Sequence, residues 1–90
     1  TILFTGGGLA LRPELGVGVG SLTVGKAALR ALSHVLAGEL AGDGIHVATV
    51  TIAGQVAAGT AFDPDLIAEQ YWQLHRQRRS EWEVERIFRG

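Results

Sequence analysis

The feature that most constrains the fold is a nearly unbroken run of apolar and β-branched residues at positions 45–52. Valine, isoleucine and threonine favour strands, and a run without polar alternation is typical of a strand that is covered on both faces. Such strands belong to parallel sheets, which carry helices on both sides. The rest of the chain is therefore expected to supply those helices and further strands.

The segments before this strand alternate between strand and helix patterns. Residues 2–5 form a short apolar run that the glycines at 6–8 are expected to end, and residues 9–20 are rich in glycine and predicted to be irregular. A helix is predicted over residues 21–41, with Ser21 as its N-cap. Its apolar residues recur near helical spacing: Leu29, Leu32, Val35, Leu36 and Leu40.

The segments after the strand continue the alternation. Residues 53–61 form a loop of mostly small residues, and Asp63 followed by Pro64 predicts the start of a second helix over residues 63–79. Residues 83–88 alternate loosely and predict a last strand. The order strand, helix, strand, helix, strand indicates βαβ units, a parallel sheet and the α/β class.

Length and composition limit the possible functions. Ninety residues make at most one small domain, and a parallel sheet usually needs more strands than they supply, so the chain is expected to be part of a larger domain. With eight basic and nine acidic residues, its charge does not indicate a nucleic-acid partner. The absence of cysteine excludes disulfides and thiolate metal sites and fits a cytoplasmic location, and no run reaches membrane-spanning length.

Two glycine motifs near Lys26 match known phosphate-binding patterns only in part. Gly20, Gly25 and Lys26 have the spacing of the G-x-x-x-x-G-K-[ST] loop, but Ala27 stands where that loop needs a hydroxyl for magnesium. The alternating glycines at 16–20 resemble a dinucleotide fingerprint without the acidic residue that binds ribose. Neither motif is therefore interpreted as a phosphate site.

The stretch from Lys26 to Gly54 resembles the second half of a short-chain dehydrogenase/reductase domain. The resemblance is carried by a helix with an early lysine, then Gly44, Ile45 and Val47 leading into a strand, then a small residue and Gly54. It implies a partial Rossmann-like, doubly wound parallel sheet, with residues 1–90 as the C-terminal portion of one domain and the cofactor-fingerprint half absent. It also implies NAD or NADP as cofactor and a small-molecule carbonyl or alcohol as substrate. The helix commonly packs against its twin in this family, which implies a homo-oligomer.

The resemblance also assigns roles to individual residues near the lysine. Lys26 matches the family lysine, which contacts the nicotinamide ribose and lowers the pKa of a tyrosine four residues earlier. Leu22 occupies that tyrosine position, and Gly7 falls where the family has a serine. The catalytic candidates are therefore Lys26 and the two hydroxyls beside Leu22, those of Ser21 and Thr23.

Further cofactor-binding candidates follow the central strand. Ala53 and Gly54 match the family Pro-Gly turn, Val56 matches a residue whose backbone meets the nicotinamide carboxamide, and Thr60 matches a threonine beyond the turn. The cofactor-binding set is thus Lys26, Gly54, Val56 and Thr60.

Two functions stay open at this point, because the serine and tyrosine positions are both replaced while the lysine remains. The first is an oxidoreductase that uses another proton donor. The second is a non-catalytic cofactor-binding or oligomerisation protein on the same fold. No metal site is expected, because no pair of the three histidines has close metal spacing.

Overall fold

The computed structural model describes residues 1–90 as a three-stranded parallel sheet with helices on its faces. The strands are β1 (Ile2–Gly7), β2 (Val47–Ile52) and β3 (Glu85–Phe88), in the spatial order β1-β2-β3. Helix α1 (Gly20–Leu40) connects β1 to β2, and α2 (Pro64–His75) lies between β2 and β3. The predicted α/β class and the partial Rossmann-like parallel sheet are confirmed. Four short 3₁₀ turns complete the chain, at Gly8–Ala10, Pro13–Gly16, Ala41–Asp43 and Arg79–Glu81.

The central strand β2 explains why its sequence is almost continuously apolar. All six of its residues are buried, because β1 and β3 flank it and a helix covers each face. Ala48, Val50 and Ile52 form one face and pack with Ile67 and Leu74 of α2. The alternate residues point to the opposite face, which α1 covers.

Strand β1 is two residues longer than its glycines led us to expect. Gly6 and Gly7 pair with Thr51 and Ile52, so the prediction that these glycines end the strand was wrong. A β-carbon on Gly6 would lie 3.2 Å from Thr51 Oγ1. Close packing against β2, rather than a turn, therefore accounts for glycine at this position.

The start of α1 is set by tertiary packing rather than by the predicted cap. The helix begins at Gly20, Val19 is the N-cap without a side-chain bond, and Ser21 lies inside the first turn, so Ser21 is not the N-cap. The Thr23 hydroxyl instead donates to the Val19 carbonyl at 2.9 Å. Gly16 packs directly on Thr23, since a β-carbon there would lie 2.9 Å from Thr23 Cβ and closer to its hydroxyl.

The face of α1 that meets the sheet carries three of its five regularly spaced apolar residues, because Leu29, Leu36 and Leu40 are half-buried there. Ser33 and Ala37 are buried, whereas Leu32 and Val35 are 46% and 54% exposed. Ser33 donates its hydroxyl proton to the Leu29 carbonyl at 2.8 Å, which allows a small polar residue against the sheet. The opposite side of α1 carries a continuous apolar row that we call the outer stripe. Its exposed members are Val24, Ala27, Ala28, Ala31, Leu32 and Val35.

Helix α2 begins as its sequence predicts and ends earlier. Asp63 is the N-cap and accepts from the Asp65 amide at 2.8 Å, with Pro64 in the first turn. Hydrogen bonds from the Gly59 and Asp65 amides hold the pKa of the Asp63 carboxyl below its usual value. The helix ends at His75 rather than at residue 79, and the last strand starts at Glu85 rather than at residue 83.

Candidate functional site

A cleft of about 520 Å³ lies at the carboxyl ends of the three parallel strands. Open α/β sheets bind their ligands outside this edge, because the loops that follow the strands converge there. The cleft is lined by the end of each strand or the residues just after it, by one side of the first turns of α1, and by the loop between β1 and α1. The lining residues are Gly7, Gly8, Leu9, Arg12, Leu15, Leu22, Lys26, Ile52, Ala53, Gly54 and Arg89.

Lys26 enters this cleft from α1 together with Leu22. Residues four apart in a helix lie one above the other on the same face, so both side chains reach the same cleft. Gly7, the last residue of β1, faces the stem of Lys26, since a β-carbon there would lie 3.6 Å from Lys26 Cδ. The structure therefore brings together the three positions that the sequence resemblance linked: Gly7, Leu22 and Lys26.

An ion pair one turn beyond Lys26 fastens α1 to the sheet. Arg30 donates through Nε and Nη2 to the two carboxylate oxygens of Glu85, each at 2.7 Å. Thr51 of β2 donates to the same carboxylate at 2.6 Å. These hydrogen bonds, chiefly those from Arg30, lower the pKa of Glu85 to about 2. The position of Lys26 above the sheet is thus supported by a charged link between α1, β2 and β3.

Glycines shape the floor of the cleft. A β-carbon on Gly54 would overlap the ring of Phe62, and one on Gly8 would lie 3.2 Å from the Cα of Ala53. Phe62 in turn packs edge-on against Phe88, with ring centroids 5.7 Å apart. The loop after β2 is therefore held down on the end of β3, and the cleft stays open above it.

The charged residues that line the cleft are all basic. Arg12, Lys26 and Arg89 line it, and no carboxylate, hydroxyl or imidazole side chain does. Arg12 is paired with Glu14, whose carboxylate accepts from Nε at 2.6 Å, and this hydrogen bond lowers the pKa of Glu14. Lys26 and Arg89 form no ion pair. Because a guanidinium stays protonated, Lys26 is the only lining side chain that can both give and take a proton.

The two hydroxyls proposed as catalytic substitutes lie outside the cleft. Ser21 is exposed and is not among the lining residues. Thr23 is buried beneath Gly16, and its hydroxyl is bonded to Val19. The structure therefore places neither hydroxyl next to Lys26 in the cleft.

Only one of the three cofactor-binding candidates that follow β2 lies in the cleft. Gly54 lines the cleft, whereas Val56 and Thr60 do not. The Thr60 hydroxyl donates to the Ala57 carbonyl at 2.7 Å and accepts from the Phe62 amide at 3.1 Å. Thr60 therefore shapes the loop that carries Phe62.

Sequence reasoning missed two cationic residues of the cleft. Arg89 follows β3 directly, so the rule that ligands gather at the carboxyl ends of parallel strands was a usable signal for it. Arg12 lies in the loop between β1 and α1, and no local pattern distinguishes it from a solvent-exposed arginine.

Comparison with solved structures finds a similar protein, a short-chain dehydrogenase from Rhodopseudomonas palustris. The two structures agree with a TM-score of 0.73 at 32% sequence identity, over 99% of this chain and 37% of that chain. No protein-family model and no curated protein matches the chain. The chain is therefore similar to part of a short-chain dehydrogenase and spans just over a third of the length of that relative. None of its helices combines the length and apolar character that crossing a membrane requires.

Proposed function

We propose that this chain is the C-terminal portion of a Rossmann-like domain in an NAD(P)-dependent oxidoreductase of the short-chain dehydrogenase/reductase type. Its substrate would be a small carbonyl compound or alcohol. The observation that carries the proposal is the position of Lys26, which lines a cleft at the carboxyl ends of three parallel strands beside Gly7 and Leu22. The similarity to a short-chain dehydrogenase over the same residues supports this assignment.

The residues of the cleft fit the nicotinamide end of such a cofactor. A volume of about 520 Å³ lies in the range of small-molecule sites. The ammonium of Lys26 carries three donors that suit ribose hydroxyls, and Gly7 and Gly54 leave two walls free of side chains. When bound, the nicotinamide ring supplies or accepts the hydride. The proposal rests on Lys26 and Gly54, because Val56 and Thr60 lie outside the cleft.

The proton that accompanies the hydride would be held by Lys26. Leu22 and Gly7 contribute no hydroxyl, and the hydroxyls of Ser21 and Thr23 do not reach the cleft. The Nζ ammonium would therefore donate a hydrogen bond to the carbonyl oxygen and release its proton to that oxygen. A cationic donor there also stabilises the negative charge that develops on the oxygen.

The absence of a lining hydroxyl also favours the second candidate, a non-catalytic cofactor-binding or oligomerisation protein. In that case Lys26 would bind the ribose without taking part in any reaction. The outer stripe on α1 supports the oligomerisation part of this proposal, because six exposed apolar residues on one side of the helix suit the same face of a second copy.

One set of measurements on the complete protein tests both candidates. Equilibrium binding of NADH and NADPH is measured first, and then their oxidation with a panel of neutral carbonyl compounds. We expect binding that weakens about tenfold or more in Lys26→Ala and is partly retained in Lys26→Arg. Arg78→Gln removes an exposed positive charge outside the cleft and serves as the control.

The outcomes separate the candidates cleanly. Turnover in the parent protein that is lost in Lys26→Ala supports the oxidoreductase and rejects the non-catalytic candidate. Cofactor binding without turnover supports the non-catalytic candidate. If neither cofactor binds the parent protein, or if Lys26→Ala binds as well as Arg78→Gln, the role of Lys26 is rejected.

A further inference from the structure

We propose that the cleft binds an anionic group, a carboxylate or a phosphate, through the side chains of Arg89 and Lys26. The inference deepens the proposed function, because it names the chemical class of the ligand. It rests on that function only where the anion is assigned to a substrate or to the cofactor. It gives Arg89, which follows the last strand, the role of a specificity-determining residue.

The distribution of charge is the first observation. The chain holds eight basic and nine acidic residues and is slightly acidic as a whole. Three of the basic side chains nevertheless line this single cleft, and none of the acidic side chains does. Glu14 compensates Arg12, which leaves Lys26 and Arg89 as two positive charges without a counter-ion from the chain.

The shape of the site makes these charges effective. A concave surface with apolar walls focuses the electric field of the charges that line it, so an anion is attracted more strongly there than on a flat surface. Two cations that share a cleft repel each other, and a bound anion relieves that repulsion. A guanidinium also offers a planar fork of donors that matches both oxygens of a carboxylate or phosphate.

Arg89 is attached to a well-fixed part of the structure. The carbonyl of the preceding residue, Phe88, accepts from the Ala53 amide at 2.9 Å, and the Phe88 ring packs against Phe62. The root of the Arg89 side chain is therefore held at the sheet edge, close to the loop that carries Gly54. A donor anchored in this way loses less freedom when a ligand binds than one on a mobile loop.

The remaining walls of the cleft indicate the chemistry of the rest of the ligand. They are apolar and come from three parts of the chain: Leu9 and Leu15, Leu22, and Ile52 with Ala53. A ligand that fits both features has an aliphatic body and an anionic end, as a keto acid or a phosphorylated ketone has. The phosphate of the cofactor is the second source of the same chemistry, and the experiment distinguishes the two.

The test uses matched pairs of small molecules that differ in one anionic group, with binding to the complete protein measured by calorimetry. The substrate pairs are 4-oxopentanoate with its methyl ester, and dihydroxyacetone phosphate with dihydroxyacetone. The cofactor pair is nicotinamide mononucleotide with nicotinamide riboside. Each is measured on the parent protein, Arg89→Gln, Arg89→Lys and the control Arg78→Gln, after thermal unfolding confirms that each variant is folded.

We expect the parent protein to prefer the charged member of at least one pair by about tenfold or more. Arg89→Gln should remove most of that preference, Arg89→Lys should restore part of it, and Arg78→Gln should keep it. A preference confined to the substrate pairs assigns the anion to the substrate, and one confined to the nucleotide pair assigns it to the cofactor. The inference is overturned if no pair shows a preference, or if Arg89→Gln leaves the preference unchanged.

Failure of this inference and failure of the proposed function give different results. If the protein oxidises NADH or NADPH with neutral carbonyls and shows no preference for charge, the function stands and the anion site is rejected. If it oxidises neither cofactor but keeps an Arg89-dependent preference, the anion site stands and the oxidoreductase is rejected.

Discussion

The last residue of β1, Gly7, faces the stem of Lys26, and a β-carbon there would lie 3.6 Å from both Cδ and Cε of the lysine. This is an ordinary van der Waals separation, so a small side chain at Gly7 would contact Lys26 without displacing it. The backbone at Gly7 is extended, with φ −135° and ψ 159°, a conformation that any residue adopts. Glycine at this position is therefore not required by the fold.

That geometry predicts a gain of activity when both missing hydroxyls are restored. The double variant Gly7→Ser with Leu22→Tyr places a serine and a tyrosine hydroxyl in the cleft beside Lys26, because both positions already line it. A positioned general acid typically contributes 10² to 10⁴ in rate, so we expect carbonyl reduction to rise about a hundredfold in kcat. The measurement is steady-state oxidation of NADH and NADPH by the complete protein.

The matched control for this gain is Gly7→Ala with Leu22→Phe, which adds the same bulk without hydroxyls. Equal rates in the two double variants would show that the hydroxyls do not reach the reacting group. Cofactor affinity is expected to be similar in both, since Lys26 is unchanged.

Gly16 and Thr23 predict a stability effect that the sequence alone does not suggest. In Gly16→Ala the new methyl group meets the buried Thr23 side chain at the start of α1 and forces the first turn to shift. Overpacking of this kind costs roughly 1–3 kcal/mol in the free energy of unfolding, and we expect about 2 kcal/mol by denaturant titration.

The comparison variant is Gly38→Ala, in the last turn of α1, where nothing lies near the added methyl group. Replacing that glycine should raise the free energy of unfolding by up to about 1 kcal/mol. A second variant, Gly16→Ala with Thr23→Ala, should recover part of the loss. Equal stabilities of Gly16→Ala and Gly38→Ala would refute the packing role of Gly16.

The Glu85 carboxylate predicts how stability depends on pH. Its pKa is held at about 2 in the folded protein, against an ordinary value of 4.5, chiefly by hydrogen bonds from Arg30. A lowered folded pKa stabilises the protein fully above about pH 4.5, and this contribution is lost as the pH falls through 4.5 towards about 2. In Glu85→Gln, the free energy of unfolding at pH 7 should fall by about 2 kcal/mol, because Arg30 loses its charged partner. The loss is limited because the Arg30 guanidinium can still reach water.

The same variant should also lose less stability than the parent protein as the pH falls from about 4.5 to about 2, the range between the two pKa values of Glu85. Chemical unfolding at a series of pH values measures both effects. Glu39→Gln, at an exposed and unpaired carboxylate on the helix that carries Arg30, is the control and should follow the parent protein. A Glu85→Gln curve parallel to that of Glu39→Gln would contradict the prediction.

The outer stripe on α1 predicts self-association of the complete protein. Placing a charge within it, as in Leu32→Glu or Val35→Glu, would bury an unpaired carboxylate between two copies and should weaken the dimer at least about tenfold. Sedimentation velocity over a concentration series measures the change. Val17→Glu is the control, because Val17 is 91% exposed and lies outside the stripe, in the loop before α1. A parent protein that stays monomeric at high concentration would refute the proposed surface.

Some features of the fold follow from short-range chemistry, and for these the sequence is a sufficient guide. The buried strand β2 was predictable because its residues are apolar on both faces. The start of α2 was predictable because Asp63 satisfies a free amide of the first turn. Leu22 and Lys26 share the cleft because helical geometry places residues four apart on one face.

Other features were decided by packing between distant segments. Against the sheet, α1 buries the small residues Ser33 and Ala37, whereas Leu32 and Val35 stay about half exposed, and this choice depends on the space above β2. The start of α1 depends on Gly16 fitting against Thr23, and the length of β1 depends on Gly6 lying close to Thr51. These contacts join residues from different segments, and no local sequence pattern predicts them.

The sequence by itself determined the α/β class and the positions of the central strand and of both helices within a few residues. It also linked Lys26 to Gly7 and Leu22, the two positions that lack the hydroxyls expected from the resemblance. Only the tertiary structure decided that Arg12 and Arg89 join Lys26 in a cleft without acidic residues, and that Ser21 and Thr23 do not. The physical reason is that secondary structure depends on neighbouring residues, whereas a binding site is formed where the ends of parallel strands, far apart in the chain, meet at one edge of the sheet.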